Sequence, residues 1–239
     1  MADLPIAKIV ERKELSEDLW IVKLKPEIDY TFKPGQYVTI GSEGIERPYS
    51  IASAPYEPFI ELFVELVPPP DGNLTPILHR LDLGETVTMR PRAKGIFTLE
   101  PAYQDHLMVA TVTGVAPYIS MIRQYLHEGG SGLRFFVLEG ASYTDEFGYD
   151  DELMELERDH PDTVKFLATI SRPAEKRNAS WAGETGRVNT LVEKYLAAYG
   201  LERENTLVHL CGHPGMIEDA KERLTPAGWN VKEERFWKD

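Results

Sequence analysis

Cysteine is almost absent from this sequence, which contains one, Cys211, among 239 residues. A single cysteine excludes a disulfide within the chain, a four-cysteine zinc site and an iron–sulfur cluster held by this chain alone. Any redox group must therefore be an organic cofactor or belong to another protein, and no metal site is predicted.

Long apolar runs and an excess of basic charge are also lacking. No run approaches the ~20 apolar residues that span a bilayer, and charged residues enter the N-terminal segment "MADLPIAKIVERKEL" too early for a signal peptide. The formal net charge of −13 disfavours nucleic acid and anionic membranes as partners, because contacts to phosphates require clustered Lys and Arg. We therefore expect a cytoplasmic protein with no membrane insertion and no nucleic-acid partner. We also expect a monomer.

Short strand patterns separated by turn residues fill the first hundred residues. The apolar runs are rich in β-branched and aromatic residues and are divided by segments such as "FKPGQ", "PPPDGN" and "DLGE". This rhythm is typical of an antiparallel barrel or sandwich. One helix over residues 75–81 interrupts it, since Thr75 supplies an N-cap and Pro76 a first-turn proline.

The chain beyond residue 105 alternates strand and helix patterns. Apolar runs such as "LMVAT", "LRFFVLEG" and "TLVHLCG" are separated by segments predicted as helices at 117–127, 152–158, 188–199 and 216–224. The alternation predicts a doubly wound parallel sheet. The change of rhythm falls near "TLEPAYQD", so we predict domains at residues 1–102 and 103–239.

Ligands bind such sheets where strands end and helices begin, because helix N-termini present unpaired N–H groups and a partial positive charge. In "ATVTGVAPYIS", Thr113 and Gly114 stand at a strand end and Pro117 at a helix start, where a pyrophosphate can approach the backbone. A tight turn without a ligand explains these residues equally well.

A second junction is "LCGHPGM". Gly212 permits a close approach to the backbone and Pro214 begins a helix. Cys211 is more simply a small apolar side chain than a nucleophile, because the sequence offers it no identifiable base.

A third junction is "ISRPAEKRNASWAGETGR". Ser171 and Arg172 follow a strand directly, and Arg187 follows a polar loop, so two guanidinium groups can meet at one strand edge and clamp a phosphate. The alternative is that both arginines are solvated surface charges.

Two segments of the first half are unusual for strands. In "ERPYSIASAP" a cation, an aromatic ring and a hydroxyl occupy residues 47–50, although an edge strand with a proline is the simpler interpretation. In "PPPDGNLTPILHRL" residues 72–75 form a turn whose free N–H groups open a short helix and suit an anion.

Six motifs follow one another along almost the whole chain: R-x-Y-S, G-x-L-T, T-G-x-A-P, S-R with T-G-R, C-G-x-P and a terminal aromatic pair. Their order and spacing resemble the ferredoxin–NADP(+) reductase family, in particular its bacterial ferredoxin/flavodoxin reductases. The resemblance implies an N-terminal antiparallel FAD-binding β-barrel followed by a doubly wound NADP(H)-binding domain.

The first two motifs resemble the family's FAD site. The resemblance implies that Arg47 neutralises the FAD pyrophosphate and that Tyr49 stacks on the isoalloxazine. It implies that Ser50 is catalytic and hydrogen-bonds near flavin N5, where a hydroxyl can relay a proton. Leu74 and Thr75 match the second motif, at the pyrophosphate. The other residues that we assign to the FAD site are Pro48, Glu65, Val67, Gly72 and Asn73.

The later motifs resemble the family's NADP(H) site. The residues implied at the nicotinamide and pyrophosphate are Thr113, Gly114, Cys211, Gly212 and Pro214, with Cys211 as a catalytic residue. Those implied at the 2′-phosphate are Ser171, Arg172 and Arg187. A further basic residue of some bacterial members has no counterpart in "EGASYTDEFGY". The family's loop usually begins with glycine where Val112 stands, so we expect a tighter loop and weaker nucleotide binding.

The resemblance implies an FAD-dependent reductase that transfers a hydride from NADPH to flavin N5 and passes single electrons to a small acidic redox protein, ferredoxin or flavodoxin. One alternative is an NAD(P)H-dependent flavin or quinone reductase, since the net charge opposes an acidic partner unless Arg90, Arg92 and Lys94 form a basic patch. Another is a non-catalytic FAD-binding electron-transfer subunit, if Val112 blocks the nucleotide loop. In the family a C-terminal aromatic packs against FAD, which implies this role for Phe236 or Trp237.

Overall fold

The computed structural model describes residues 4–235, which form two compact units. One unit contains the described residues up to Leu99 together with Ala116–Glu128, and the other contains Glu100–Val115 together with the described residues from Gly129 onward. The predicted domain limits, 1–102 and 103–239, remain a proposal.

The first unit is built on a six-stranded antiparallel sheet in the order β4-β3-β6-β1-β2-β5. Its strands are β1 (Ile6–Glu14), β2 (Leu19–Pro26), β3 (Tyr37–Ser42), β4 (Ile45–Ser50), β5 (Ile60–Glu65) and β6 (Thr86–Met89). The two sheet edges are joined just after β4, where the N–H of Ala52 donates to the carbonyl of Glu61 at 2.8 Å. The predicted antiparallel barrel is confirmed.

Alternating apolar side chains of the strands form the barrel core. Trp20, Val22 and Leu24 of β2 belong to one buried cluster with Leu62 of β5, as the two-residue period of a strand requires. Burying each of these side chains contributes roughly 1.5–3 kcal/mol. Tyr49 packs against the same cluster, so the core supports the strand that carries R-x-Y-S.

The short helix α1 (Thr75–Arg80) lies where the sequence predicts a helix but begins differently. Leu74 occupies the N-cap position and no side chain caps the helix. The hydroxyl of Thr75 instead donates to the carbonyl of Val67 at 3.1 Å and accepts the N–H of Val67 at 3.0 Å. The prediction that Thr75 caps α1 is therefore wrong, because its hydroxyl ties the helix to the preceding turn.

The second unit is built on a six-stranded parallel sheet in the order β10-β9-β8-β7-β11-β12. Its strands are β7 (Asp105–Thr111), β8 (Arg134–Ala141), β9 (Val164–Ile170), β10 (Glu184–Thr185), β11 (Thr206–Gly212) and β12 (Asn230–Arg235). The helices that follow β7, β8, β10 and β11 in the chain are α2 (Ala116–His127), α3 (Asp150–Asp159), α4 (Val192–Ala198) and α5 (Pro214–Leu224). The predicted doubly wound parallel sheet is confirmed.

Helix α2 is the segment that the first unit takes from the second half of the chain. The buried hydroxyl of Ser120 donates to the carbonyl of Ser53 at 2.7 Å. The guanidinium of Arg123 donates to the carboxylate of Glu61 at 2.9 Å, and both side chains are largely buried. These contacts attach α2 to the segment that follows the R-x-Y-S strand, through Ser53, and to β5, through Glu61.

Strand order reverses between β7 and β11. From β7 the chain adds β8, β9 and β10 on one side and then β11 and β12 on the other. The carboxyl ends of β7 and β11 therefore lie side by side, and the chain continues from them toward opposite edges of the sheet. Ligands of open α/β sheets bind at such a point.

Within residues 4–235, no helix is both long enough and apolar enough to cross a membrane.

Candidate functional site

The R-x-Y-S segment forms β4, an edge strand of the antiparallel sheet. Pro48, opposite Thr39 of β3, is tolerated because an edge strand needs only one row of ladder hydrogen bonds. Arg47 is exposed, Tyr49 is half-buried and Ser50 is buried. Burial raises the pKa of Tyr49 and outweighs the opposing effect of Arg47, so the phenol is neutral.

The predicted FAD turn is held together by its own contacts. A Cβ on Gly72 would lie 1.7 Å from the carbonyl oxygen of Val67, so only glycine fits there. The Gly72 N–H donates to the carbonyl of Pro68 at 3.0 Å, and it is therefore not one of the free donors that the sequence predicted. Asn73 is exposed and Leu74 is buried; Glu65, at the end of β5, is exposed.

These residues suit an FAD molecule. An exposed guanidinium can meet a pyrophosphate, and a neutral half-buried ring can take a flat aromatic partner on its open side. The hydroxyl that follows this ring in the strand supplies a donor and an acceptor. Their roles toward FAD remain a prediction.

The loops after β7 and β11 touch each other through glycines. A Cβ on Gly114 would lie 2.4 Å from the carbonyl oxygen of Cys211. Gly212 has a φ of 122°, and a Cβ there would lie 2.3 Å from the hydroxyl of Thr111. The sequence predicted that these glycines open the backbone to a pyrophosphate, but their missing side chains first allow the two loops to pack together.

Helix α5 begins at the same edge of the sheet. His213 occupies its N-cap position, and the Nδ1 atom of His213 accepts the N–H of Gly215 at 3.0 Å. The backbone N–H of His213 donates to the Thr111 hydroxyl at 2.8 Å. Pro214 is the first helical residue, where its missing N–H costs nothing. The positive end of this helix dipole therefore faces the edge at which the strand order reverses.

Val112 adopts a backbone conformation that valine rarely occupies. Its φ is 44°, in the left-handed region that a β-branched residue adopts only under strain. Its side chain packs against a buried cluster that includes Phe147 and Ile170. Thr113, the next residue, is half-buried in the 3₁₀ turn Val112–Val115.

Cys211 is fully buried at the end of β11. Burial raises the pKa of its thiol well above the usual value, and Glu234 adds to this effect. The thiol is therefore protonated at neutral pH, which disfavours a thiolate nucleophile. Its assignment as a catalytic residue remains a prediction.

Arg172 lies at the carboxyl end of β9, and the backbone of Arg187 is close by, since the N–H of Gly186 donates to the carbonyl of Ile170. The guanidinium of Arg172 donates to the Tyr143 hydroxyl at 2.8 Å and is about half exposed. Ser171 is half-buried and Arg187 is exposed. The sequence therefore placed these residues at one edge, but it missed Tyr143.

Arg177 is a third guanidinium at this edge. It lies 4.2 Å from the centre of the Tyr143 ring, and Arg172 lies 5.3 Å from the same centre. The buried amide of Asn178 fixes the arrangement, because it donates to the carbonyls of Ser142 and Arg172. Tyr143 and Arg177 are separated by a helix and a strand in the sequence, so no local motif reveals the pair.

Two carboxylates balance these cations. Asp145 pairs with Arg177 at 2.7 Å, and Glu175 lies 3.6 Å from Arg172. Glu175 also accepts the Tyr143 hydroxyl at 2.6 Å. A phosphate that binds Arg172 must therefore compete with Glu175.

Glu139 is a buried acid that the sequence did not single out. It lies in β8 in register with Ala110 of β7 and Ala168 of β9, and its carboxyl oxygens have no hydrogen-bond partner among the described residues. Burial raises its pKa well above the usual value, with a further contribution from Asp150, which favours the neutral acid.

Phe236 and Trp237, the predicted aromatic contacts of FAD, lie outside the described residues. Within residues 4–235, His, Cys, Asp and Glu side chains form no group of three or more that is arranged to hold a metal ion.

Comparison with known families divides the chain into two parts. A family model described as an oxidoreductase FAD-binding domain matches residues 6–96. A second model, described as an oxidoreductase NAD-binding domain, matches residues 108–222.

Similar proteins match over most of their length. Ferredoxin–NADP reductase B of Sorangium cellulosum is 34% identical over 203 residues, which cover 81% of this chain and 79% of the relative. The flavodoxin/ferredoxin–NADP reductase of Escherichia coli K12 is 28% identical over 235 residues, covering 92% and 90%. A solved ferredoxin NADP⁺ reductase from Neisseria gonorrhoeae, with bound FAD and NADP, has the same fold: the TM-score is 0.84 at 24% identity, over 99% of this chain and all of that one.

Proposed function

Because the chain belongs to the ferredoxin–NADP reductase family, we propose that it oxidises NADPH and passes the electrons singly to a small acidic redox protein, ferredoxin or flavodoxin. It is an FAD-dependent oxidoreductase with an FAD-binding and a nicotinamide-nucleotide-binding domain. The overall reaction converts NADPH and two oxidised carriers into NADP⁺, two reduced carriers and one proton. When bound, FAD supplies the chemistry that converts a two-electron hydride transfer into single-electron transfers.

The paired loops at the strand-order reversal carry this proposal. Gly114 and Gly212 pack the ends of β7 and β11 together, and the N-terminus of α5 begins at the same place. Backbone N–H groups and a helix dipole at such a point favour a pyrophosphate. The nicotinamide nucleotide is proposed to bind along this edge, with its adenosine end toward Arg172.

The strand β4 is proposed to hold the flavin. Arg47 would bind the FAD pyrophosphate, Tyr49 would contact the ring and the Ser50 hydroxyl would hold a proton near N5. The turn at Gly72 and the hydroxyl of Thr75, which bonds both polar atoms of the Val67 backbone, would keep the second FAD segment rigid.

A second candidate function uses NADH in place of NADPH. The observation that favours it is the pairing of Glu175 with Arg172 and of Asp145 with Arg177, which offsets the charge of two of the three arginines at this edge. The alternative of a subunit without turnover requires Val112 to block the nucleotide loop. The side chain of Val112 instead packs against a buried cluster, which disfavours this alternative. An acceptor other than a protein, such as a quinone, stays compatible with the same site.

Steady-state assays separate these candidates. The purified holoenzyme would be given NADPH or NADH with ferricyanide, a quinone, an acidic ferredoxin or a flavodoxin as acceptor. The proposal expects higher kcat/KM with NADPH and reduction of at least one carrier protein. Reduction of the quinone alone would mean that the acceptor is a quinone and not a carrier protein. Turnover with NADH alone would mean that the enzyme uses NADH and not NADPH.

A further inference from the structure

An arginine projects from the core-facing side of the first strand of the barrel. Arg12 of β1 lies directly opposite Val22 of β2, and Val22 belongs to the buried cluster of the barrel. Directly opposite residues of antiparallel strands project to the same face of the sheet. The side chain of Arg12 is accordingly only 13% exposed. A charged group in such a position is costly unless its hydrogen-bond donors are satisfied.

The donors of Arg12 are satisfied by the end of helix α1. The Nη1 atom of Arg12 donates to the carbonyl oxygens of His79 and Leu81, at 3.0 Å each. It also donates to the carbonyl oxygen of Leu78 at 3.3 Å. The last carbonyl groups of a helix lack partners within the helix, and Leu81 is the C-cap residue of α1. Arg12 therefore supplies, from another element, the donors that the end of this helix lacks.

Aromatic packing and an ion pair hold the guanidinium of Arg12 in place. Its central carbon lies 4.8 Å from the centre of the Trp20 ring, and Trp20 is buried. The ring of His79 packs edge-on against the same indole, with 5.3 Å between ring centres. The Nε atom of Arg12 donates to the carboxylate of Glu14 at 2.5 Å. The guanidinium is therefore fixed by a buried ring, a carboxylate and the end of α1 together.

Helix α1 needs such anchors because it is short. It has six residues, and no side chain caps its N-terminus; isolated helices of fewer than about 12 residues are marginal in water. The hydroxyl of Thr75 ties the beginning of the helix to the backbone of Val67, and Arg12 ties its end to β1. The position of the turn of residues 72–75, which leads into α1, therefore depends on both contacts.

We propose that Arg12 is a positioning residue for FAD, because by fixing the end of α1 it keeps the turn of residues 72–75 in the conformation that binds the cofactor. This inference rests on the proposed function, in which that turn belongs to the FAD site. Arg12 acts through the helix and is not assigned a contact with FAD. A turn that is already ordered before binding loses less conformational freedom when FAD binds, so loss of Arg12 should weaken the hold on FAD.

The variant Arg12→Met tests this role, because it keeps an apolar chain near Trp20 and removes the donors. The matched control is Lys13→Met, which removes the same charge at the exposed neighbouring residue. Arg12→Lys, a milder change, serves if Arg12→Met does not fold. Each holoenzyme would be diluted, and the FAD that passes a filter would be measured at intervals by its fluorescence. Amide hydrogen exchange of residues 75–81 would be compared with that of β2, with FAD in excess.

A positioning role predicts a local effect. Arg12→Met should release FAD roughly tenfold faster than wild type, the size expected for loss of a charge-assisted contact. Its amides in residues 75–81 should exchange faster, and those of β2 should exchange as in wild type. With FAD in excess, NADPH should reduce its flavin at the wild-type rate. Arg12→Lys should lie between wild type and Arg12→Met, and Lys13→Met should match wild type in every assay.

Three results would overturn the inference, and they are distinguishable. Unchanged exchange of residues 75–81 in both Arg12 variants would show that Arg12 does not hold the helix. Equally accelerated exchange of residues 75–81 and of β2 would show that Arg12 stabilises the whole barrel. Faster exchange of residues 75–81 with unchanged FAD release would show that the turn of residues 72–75 does not hold FAD, which would also remove it from the proposed site. Because FAD release is measured without nucleotide, none of these results depends on the proposed oxidation of NADPH.

Discussion

Val112 is the residue whose conformation is least suited to its side chain. A left-handed φ costs a residue with a Cβ roughly 1–2 kcal/mol, and branching at Cβ adds to that cost. The strain at 44° is offset by packing against the cluster around Phe147. We expect this strain to be relieved by glycine and not by alanine.

The first prediction therefore compares Val112→Gly with Val112→Ala. Glycine in place of alanine usually lowers stability by about 0.5–1 kcal/mol in regular structure, but here the order should reverse, with Val112→Gly the more stable by about 1 kcal/mol. NADPH should bind Val112→Gly at least as tightly as wild type. Urea unfolding and nucleotide titration measure both quantities, and a less stable glycine variant with weaker NADPH binding would show that the valine is itself a required contact.

The second prediction concerns Arg172. Replacing it with alanine removes a charge-assisted contact of about 1.5–3 kcal/mol to the 2′-phosphate, so NADPH should bind roughly ten- to hundredfold more weakly while NADH changes little. Tyr143→Phe is the matched control, because it removes the hydroxyl that bonds Arg172 and keeps the ring. Its effect on NADPH should be smaller. Equal weakening of both nucleotides by Arg172→Ala would take this residue out of the 2′-phosphate site.

The third prediction concerns a buried pair of histidines. His106 of β7 and His209 of β11 are fully buried, with Nδ1 of the first 3.0 Å from Nε2 of the second. Burial lowers the pKa of His106 to about 4 and that of His209 well below its usual value. Both rings are therefore neutral in the folded protein under conditions in which an unfolded histidine, with a pKa near 6.5, becomes protonated.

The free energy of unfolding should consequently fall as the pH is lowered. Between pH ~6.5 and ~4 the unfolded chain binds protons that the folded chain does not, and for His106 alone this lowers the free energy of unfolding by on the order of 3 kcal/mol at the acid end. His106→Gln should flatten the dependence of the urea midpoint on pH. If the urea midpoint of His106→Gln depends on pH as steeply as that of wild type, the dependence arises from other groups.

At the scale of elements, the contact between the loops of β7 and β11 decides the geometry of the nucleotide edge. The fourth prediction is that Gly114→Ala loses about 1–3 kcal/mol of stability through overpacking against Cys211 and also binds NADPH more weakly, with its FAD content unchanged. Gly129→Ala is the control, since φ there is 66° but no atom lies within 4 Å of the added Cβ. The control should lose stability through its backbone only and keep its nucleotide affinity. An unchanged affinity of Gly114→Ala for NADPH would mean that the contact between the loops does not determine nucleotide binding.

The elements differ in how far the sequence reveals them. Apolar runs predict β2 and the long parallel strands β7 and β11 well, because most of their residues are buried and therefore apolar. β10 has only two residues, Glu184–Thr185, too few to form a pattern. The capping role expected of Thr75 failed because its hydroxyl satisfies the backbone of Val67, a contact across the turn that local signals do not encode.

The residues of the candidate site also divide into those that the sequence reveals and those that it does not. Motif residues such as Arg47, Gly114 and Arg172 are visible in the sequence because each stands at a strand end or in an unusual strand. Tyr143 and Arg177 were missed, since only the parallel arrangement of β8 and β9 brings their loops together. Their roles toward the cofactors remain proposals.

At the scale of the whole molecule, the acidic charge and the choice of electron carrier are linked. A chain with a net charge of −13 can work with an acidic carrier only through a local basic surface. A basic or uncharged acceptor would need no such surface. The salt dependence of carrier reduction therefore reports on the whole charge distribution.

The most direct test of the central claim is a single-turnover measurement of flavin reduction. The oxidised holoenzyme would be mixed with NADPH or NADH without oxygen, and the loss of the flavin's visible absorption would be followed in a stopped-flow instrument. We expect NADPH to bleach the flavin, faster or at lower nucleotide concentration than NADH does. A protein that binds FAD and is not bleached by either nucleotide would contradict the claim that this chain is a nicotinamide-dependent reductase.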